Sequence, residues 1–332
     1  MDQCLQIEFC KVYIDTYIMH DLVNLSLIIT YQEWKVIYVV VYTRDGSLII
    51  ITCFFLCFFF QLFKCLLLNK NGVEMILRGE FWRNLLHNSK VLTLYNIERD
   101  EFPEYGFLQQ LPNVKKLVVG NSSFEVIFCR QRPDNSEPLL QLKELRLESL
   151  GKLVSMGLEN SWTEPFVENI ETFEVISCYF LRNLDARRVS FSNLTFLKVE
   201  GCSRLSYLFT SSTAKSLAQL QRMEIRKCTS IEEIVSKEEG EESDEDEIIF
   251  AQLTFLKFEH LWRLRRFYRG SLCFPLLEEL SITYCQEMLT LCTGTIEASK
   301  LYQVTIDDEE GIPLKTDLNS TIRKECLKQV CV

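Results

Sequence analysis

The chain has 332 residues, 47% hydrophobic and 25% charged, with a formal net charge of −10. The length admits one elongated domain with a smaller extra segment. The charge excludes a nucleic-acid binder that works by phosphate neutralisation, because no basic excess is available.

Residues 1–84 do not follow the pattern that organises the rest of the chain. Within them, Ser47–Leu68 reads SLIIITCFFLCFFFQLFKCLLL, with Lys64 its one charge. As a helix this stretch would run about 33 Å, enough to cross a bilayer. Residues 31–84 therefore form a hydrophobic segment with a candidate transmembrane helix at 47–68. Lys70, Arg78 and Arg83 follow it, against Lys35 and Arg44 before it. That asymmetry would leave the C-terminal side in the cytosol. The competing readings are a buried apolar element and a translated intron. Six phenylalanines between Phe54 and Phe63 keep the latter open.

From Ser89 to Glu309 one apolar phrase, L-x-x-L-x-L, recurs nine times, starting at Ser89, Val114, Leu142, Ile170, Leu194, Leu220, Leu253, Leu277 and Leu301. The steps run from 24 to 33 residues. That is largely the period of leucine-rich repeats. Within each copy the alternation predicts a short strand with one buried face. Leu197 and Val199 point inward, and Phe196, Lys198 and Glu200 outward. No single strand shields its apolar side chains, so the copies must stack. Each buried Leu, Val or Ile contributes roughly 1.5–3 kcal/mol against a chain entropy of similar total size. The expected fold is α/β: a leucine-rich-repeat solenoid over residues 85–312. Its curved parallel β-sheet has an irregular or helical convex side, and a hydrophobic helical segment precedes it. Ser230–Val235 is expected to form a helical turn on the convex side.

Lined up by repeat position, the middle outward residues include Arg146, Glu174, Lys198, Glu224 and Lys257, which alternate in sign. Neighbouring strands stand about 4.8 Å apart, so a charge ladder along the concave face is expected. With Phe196, Phe255 and Trp262 as apolar anchors, this row is the candidate protein-binding surface. Reversing Lys198 and Glu224 is expected to spare folding and weaken binding. The blander reading is a ladder that only solubilises and staples the sheet.

The longest step holds Glu238–Glu247, with eight acids in ten residues, so 237–247 is expected to be a solvated acidic loop. Ser243 lies among those acids as a candidate phosphorylation site. Arg263, Arg265, Arg266 and Arg269 are the nearest basic cluster. In the tail, Leu318, Ile322, Cys326 and Val330 recur every four residues. That places one stripe on a helix over 313–332 that caps the array, with Asp317 or Asn319 as its N-cap.

The chain has 14 cysteines. Cys178, Cys202, Cys228 and Cys285 occupy one repeat position, where a small thiol fits the bend after the strand. No C-x-x-C is present, and His20, His87 and His260 lie far apart in sequence. Reduced structural thiols in a cytosolic protein are expected, with no metal and no cofactor. There is no G-x-S-x-G, no H-E-x-x-H and no Gly-rich dinucleotide turn, so an enzyme is not expected.

The phrases Cys202-Ser-Arg-Leu-Ser-Tyr-Leu-Phe209, Ala218-Gln-Leu-Gln-Arg-Met-Glu-Ile225, Cys228-Thr-Ser-Ile-Glu-Glu-Ile-Val235 and Phe274-Pro-Leu-Leu-Glu-Glu-Leu280 resemble a known family. It is the plant coiled-coil, nucleotide-binding, leucine-rich-repeat disease resistance proteins, in their C-terminal repeats. Met19-His20-Asp21 resembles the motif that closes that family's nucleotide-binding module. By this resemblance residues 1–30 are a remnant of the module, and His20 is a cofactor-proximal residue. The chain has no G-x-x-x-x-G-K-[ST], so the resemblance implies a truncated receptor, a recognition arm without its ATP switch. The implied partners are a pathogen protein, a guarded host protein or a receptor's nucleotide-binding domain. The expected location is cytoplasmic, from the reduced thiols, or, from the hydrophobic segment and its flanking charges, membrane-anchored through 47–68 with the repeats in the cytosol; the 47–68 block is not part of the family pattern. Alternatives from other classes are a membrane-anchored receptor-like protein, for which Asn24, Asn121, Asn193 and Asn319 would be glycan acceptors, and a scaffold or substrate adaptor.

Overall fold

The computed structural model describes residues 38–42, 48–52, 65–68, 70–78, 87, 89–98, 107, 110–128, 142–157, 169–184, 190–238, 246–307, 309–314 and 317–329. In chain order the elements begin with β1 (Tyr38–Tyr42), β2 (Leu48–Thr52), β3 (Cys65–Leu68) and α1 (Lys70–Leu77). Next come β4 (Val91–Tyr95), β5 (Lys116–Gly120), β6 (Val126–Phe128), β7 (Glu144–Glu148), β8 (Ser155–Gly157) and β9 (Thr172–Ile176). They continue with β10 (Phe196–Glu200), β11 (Phe209–Thr210), α2 (Ser211–Lys215), β12 (Arg222–Arg226) and β13 (Val235–Ser236). Then follow β14 (Glu247–Ile249), β15 (Phe255–Glu259), β16 (Ser271–Cys273), β17 (Glu279–Thr283) and β18 (Ile296–Glu297). The last are β19 (Gln303–Ile306), β20 (Glu309–Pro313) and α3 (Leu318–Gln329).

One strand per repeat enters a single 11-stranded sheet in the order β20-β19-β17-β15-β12-β10-β9-β7-β5-β4-β3. From β3 to β19 every pairing is parallel, and each strand lies beside the next repeat's strand. Parallel neighbours need a crossover, and the rest of each repeat supplies it. The register keeps repeat positions in line: Leu197 opposes Met223, Met223 opposes Leu256, and Leu256 opposes Leu280. A one-residue slip would turn every leucine to solvent, so the shared interior fixes the register.

Burial follows the sequence alternation. In β4, β7, β9, β10 and β15 the second and fourth residues are buried and the other three partly exposed. The inward leucines form one continuous core. Phenylalanines fill its width: Phe191 packs between Phe173 and Phe209, and Phe250, Phe267 and Phe274 form a three-ring cluster in which each touches the other two. Offset ring pairs of this kind add about 0.5–1.5 kcal/mol beyond area burial.

The opposite side of the solenoid is mostly sheet. β6 pairs β8, β11 pairs β13, and β14, β16 and β18 form a three-stranded parallel sheet. The short helix α2 lies there as well. The helical turn expected at Ser230–Val235 is not formed; the segment runs into β13, which pairs with β11 through Val235 and Phe209. The short crossovers stack at strand spacing, and parallel hydrogen bonds satisfy their backbone where single helical turns would not.

The helix expected across 47–68 is not formed in the residues described. Leu48–Thr52 is a strand paired antiparallel with Tyr38–Tyr42, and Cys65–Leu68 is a strand of the main sheet. The physical reason is local. Val39, Val40, Val41, Ile49, Ile50 and Ile51 are β-branched and fit a pleated strand better than a helix. Asp45-Gly46, which separates the two strands in sequence, is a hairpin signal. Among the described residues no helix is long and apolar enough to cross a membrane. The main sheet therefore takes in β3, earlier than the expected boundary at residue 85. The Met19-His20-Asp21 phrase lies outside the described residues.

At the C-terminal end β20 turns back antiparallel on β19, with Ile312 opposite Val304. Beyond it α3 buries Leu318, Ile322 and Cys326. Asp317 caps this helix: its Oδ1 accepts the Ser320 N–H at 2.9 Å.

Candidate functional site

The outer face of the main sheet carries three rows of side chains, one from each outward strand position. In the middle row Arg146, Glu174, Lys198, Glu224, Lys257 and Ser281 are successive register partners. The fold thus aligns the alternating charges, but their bonds run in two directions. Arg146 bonds across strands to Glu174 at 3.0 Å and along its own strand to Glu148 at 3.0 Å. Burial works against the charged Arg146 guanidinium; the two glutamates outweigh it and raise its pKa. Lys198 and Lys257 instead pair along their strands, with Glu200 at 3.2 Å and Glu259 at 2.9 Å.

Glu224 differs from its neighbours in the row. It is buried, 6% exposed, and held by Arg222 and Arg226 at 2.6 Å each. The expectation that Glu224 can be reversed without harm to the fold is therefore corrected. A lysine there would stand between two arginines with little solvent to screen it. Glu224 is a brace, and the accessible charges of the row are Arg146, Glu174, Lys198 and Lys257.

Two carboxylates at the end of the strands are held as anions. Burial alone would raise the pKa of Glu200; the Lys198 and Lys227 ammoniums reverse this and hold it below the usual range. The Lys257 ammonium does the same for Glu259, against a smaller burial effect, with Arg226 helping.

Phe196 and Phe255 lie on the row beside this one, each partly exposed. Between them stands Arg222, in register with both. Its guanidinium carbon sits 3.5 Å from the Phe255 ring centroid. The alignment by middle row did not single out Arg222. Reading the first outward position the same way would have found it. Trp262 does not join this face; it follows Leu261 in the bend after β15 and is 54% exposed.

The repeat cysteines form a ladder beneath the bends. Cys178, Cys202, Cys228 and Cys285 are buried and unpaired with one another. Each thiol donates to the carbonyl two residues before it: Ile176 at 3.6 Å, Glu200 at 3.6 Å, Arg226 at 3.3 Å and Thr283 at 3.5 Å. The same sulfur accepts from the preceding repeat, as where Cys202 N–H meets Cys228 Sγ at 3.4 Å. Ser122 does this for Ile97 at 3.0 Å. Burial pushes the thiols of Cys178 and Cys285 up to about 12.

Before each cysteine position the backbone enters the left-handed region, at Ser149, Ser177, Gly201, Lys227, His260 and Tyr284 among others. There the N–H donates to the next strand's last carbonyl: Ser177 to Glu200 at 2.7 Å and Lys227 to Glu259 at 2.8 Å. The ladder gains one bond per repeat, which offsets the unusual φ.

The acidic block is described only at its ends. Glu238 accepts a hydrogen bond from Ser212, and Asp246 bonds Lys215 at 2.7 Å. Ser243 lies outside the described residues. Of the arginine cluster, Arg265 pairs with Glu287 at 3.1 Å and Arg269 with Glu233 at 2.8 Å. Asn319, one candidate glycan acceptor, uses its amide in the fold, accepting from Leu291 N–H and donating to Cys292 O.

These features define a leucine-rich-repeat protein, whose fold is generally an interaction scaffold. Residues 180–309 match the family of RPS2-like plant disease resistance proteins, in their leucine-rich repeats. A probable disease resistance protein of Arabidopsis thaliana is 30% identical over 101 residues, a match that spans 30% of this chain and 11% of that relative's length. Among solved structures, the leucine-rich-repeat domain of the type III effector XopL is similar in outline at 16% identity and a TM-score of 0.46, over 74% of this chain and 76% of that one. An internalin from Listeria monocytogenes is similar at 13% identity and a TM-score of 0.19, over 69% of this chain and 82% of that one. The fold assignment rests on the strand register and burial above.

Proposed function

We propose that this chain is a protein-recognition arm of the kind carried by plant intracellular immune receptors, and that the open face of its main sheet makes the contact. One observation carries the reading: that face is an in-register field of charge and aromatic side chains, backed by a continuous core. Arg146, Glu174, Lys198 and Lys257 supply the polar contacts, and Phe196 and Phe255 the apolar anchors. The partner is a pathogen protein, a guarded host protein or the nucleotide-binding domain of a receptor. The local match to disease resistance repeats supports that class of partner. Buried thiols without a disulfide among the described residues support a reducing, cytosolic setting. ATP hydrolysis is not assigned to these residues, which hold no phosphate-cradling G-x-x-x-x-G-K-[ST].

The test is affinity capture from infected plant tissue with the chain as bait, run in parallel with Lys198→Glu and with Phe196→Ala/Phe255→Ala. Lys198 and both phenylalanines are partly exposed, so the variants are expected to keep the fold, checked by circular dichroism. A protein retained by the wild type and lost by both variants supports the reading. An identical set of captured proteins with all three baits would exclude this face.

A further inference from the structure

The open face is not electrically uniform across β10, β12 and β15. Its outward carboxylates there, Glu200, Glu224 and Glu259, are each held by two cations. The strands carry four cations of their own, Lys198, Arg222, Arg226 and Lys257, so the balance is a cationic surplus. Lys198 and Lys257 lean toward Glu200 and Glu259 at the C-terminal ends of their strands. Arg222 lies at the opposite edge, with its side chain 45% exposed.

Arg222 is also held in place. Its Nε donates to Glu224 at 2.6 Å, and the guanidinium plane is seated on Phe255. Phe196 flanks it on the other side in register. A guanidinium with Nε engaged still has donors on both terminal nitrogens, and a fork of this kind matches a carboxylate. An aromatic platform limits the rotamer entropy lost when it binds.

We propose that Phe196, Arg222 and Phe255 form a carboxylate-reading spot that takes an Asp or Glu side chain of a partner protein, in an extended segment lying across the strands. The two phenylalanines accept the apolar residues on either side of that acid. Because both flanks of Arg222 are lined, the segment continues in both directions, which assigns the carboxylate to a side chain over a chain terminus. Glu279 on β17, next in register beyond Phe255, repels a second acid there and limits the spot to one. This proposal rests on the protein-recognition reading above and names the chemistry the face selects.

The test begins with a phage-displayed random dodecapeptide library selected on the full chain. Binders are then made as synthetic peptides blocked at both ends and titrated by fluorescence polarisation. The expected result is an Asp or Glu beside apolar residues. Its amide counterpart should bind the wild type about ten-fold more weakly. With Arg222→Gln the acid and amide peptides should bind alike. Arg222→Lys, which keeps the charge and loses the fork, should recover only part of the preference. Melting curves establish that the variants are folded, and Phe255→Ala gives a second reading that leaves the Arg222–Glu224 pair in place. Peptides without acid preference, an acid preference untouched by Arg222→Gln, dependence on a free C-terminus, or a selection without binders would each overturn the proposal. Peptides sensitive to Lys198→Glu but not to Arg222 sink this spot and leave the recognition face standing. Peptides indifferent to Lys198, Phe196 and Arg222 sink both.

Discussion

The thiol of Cys228 both donates and accepts. It gives its proton toward Arg226 O and receives the Cys202 N–H from the neighbouring repeat. A side chain of equal size without these functions leaves a buried N–H unsatisfied, at a cost of about 1–3 kcal/mol. Cys228→Val is therefore expected to lower stability in urea unfolding by about that amount, and Cys228→Asn to lower it less, because an amide also donates and accepts. Equal stability of the valine variant and the wild type would refute this account of the ladder. Native-state alkylation at pH 8, mapped by peptide mass spectrometry, should leave Cys178, Cys202 and Cys285 unmodified until denaturant is added. Their protonated, buried sulfurs are poor nucleophiles.

For a single strand, direction relative to the core decides the energetics. In β10, Leu197 is 0% exposed and Lys198 stands on the open face. Leu197→Ala should cost about 2–5 kcal/mol in guanidinium unfolding, and Lys198→Ala about 0.5 kcal/mol or less. Similar losses at the two neighbours would mean the strand is not placed as described. In α3 the cap is the sensitive point. Asp317→Ala removes the acceptor for Ser320 N–H and should cost about 0.5–2 kcal/mol. The Ser320 hydroxyl and N–H hold the Asp317 pKa below the usual carboxylate range. The cap's contribution is therefore fully present above the unfolded value near 3.9 and is lost as pH falls through the folded one. A stability difference between wild type and Asp317→Ala that fails to shrink on acidification would contradict the cap.

The whole molecule must solve the problem of open ends. A parallel stack leaves an unpaired strand edge and an open core at its last repeat. Here β20 covers the edge of β19, and α3 covers the core. Removing residues 307–332 should expose both, and light scattering should show association at concentrations where the full chain stays dispersed. A truncated chain that stays monomeric with an unchanged melting point would show that neither element is needed as a cap.

The sequence determined the period, the buried residue of each copy, the register of the charge row, the shared place of the four cysteines and the capping stripe of Leu318, Ile322 and Cys326. It did so because each is a short-range pattern repeated or fixed by spacing: alternation sets which side chains face in, and stacking like units sets the rest. Only the tertiary structure decided which charges bond along a strand and which across it. It also decided that Glu224 is a buried brace, that Arg222 rests on Phe255, and that the bends at Lys227, His260 and Tyr284 are left-handed. It showed Leu48–Thr52 and Cys65–Leu68 as strands. Those outcomes depend on what the next repeat places alongside, about 25 residues or more away, and hydrophobicity along one segment does not separate a long apolar helix from β-branched strands.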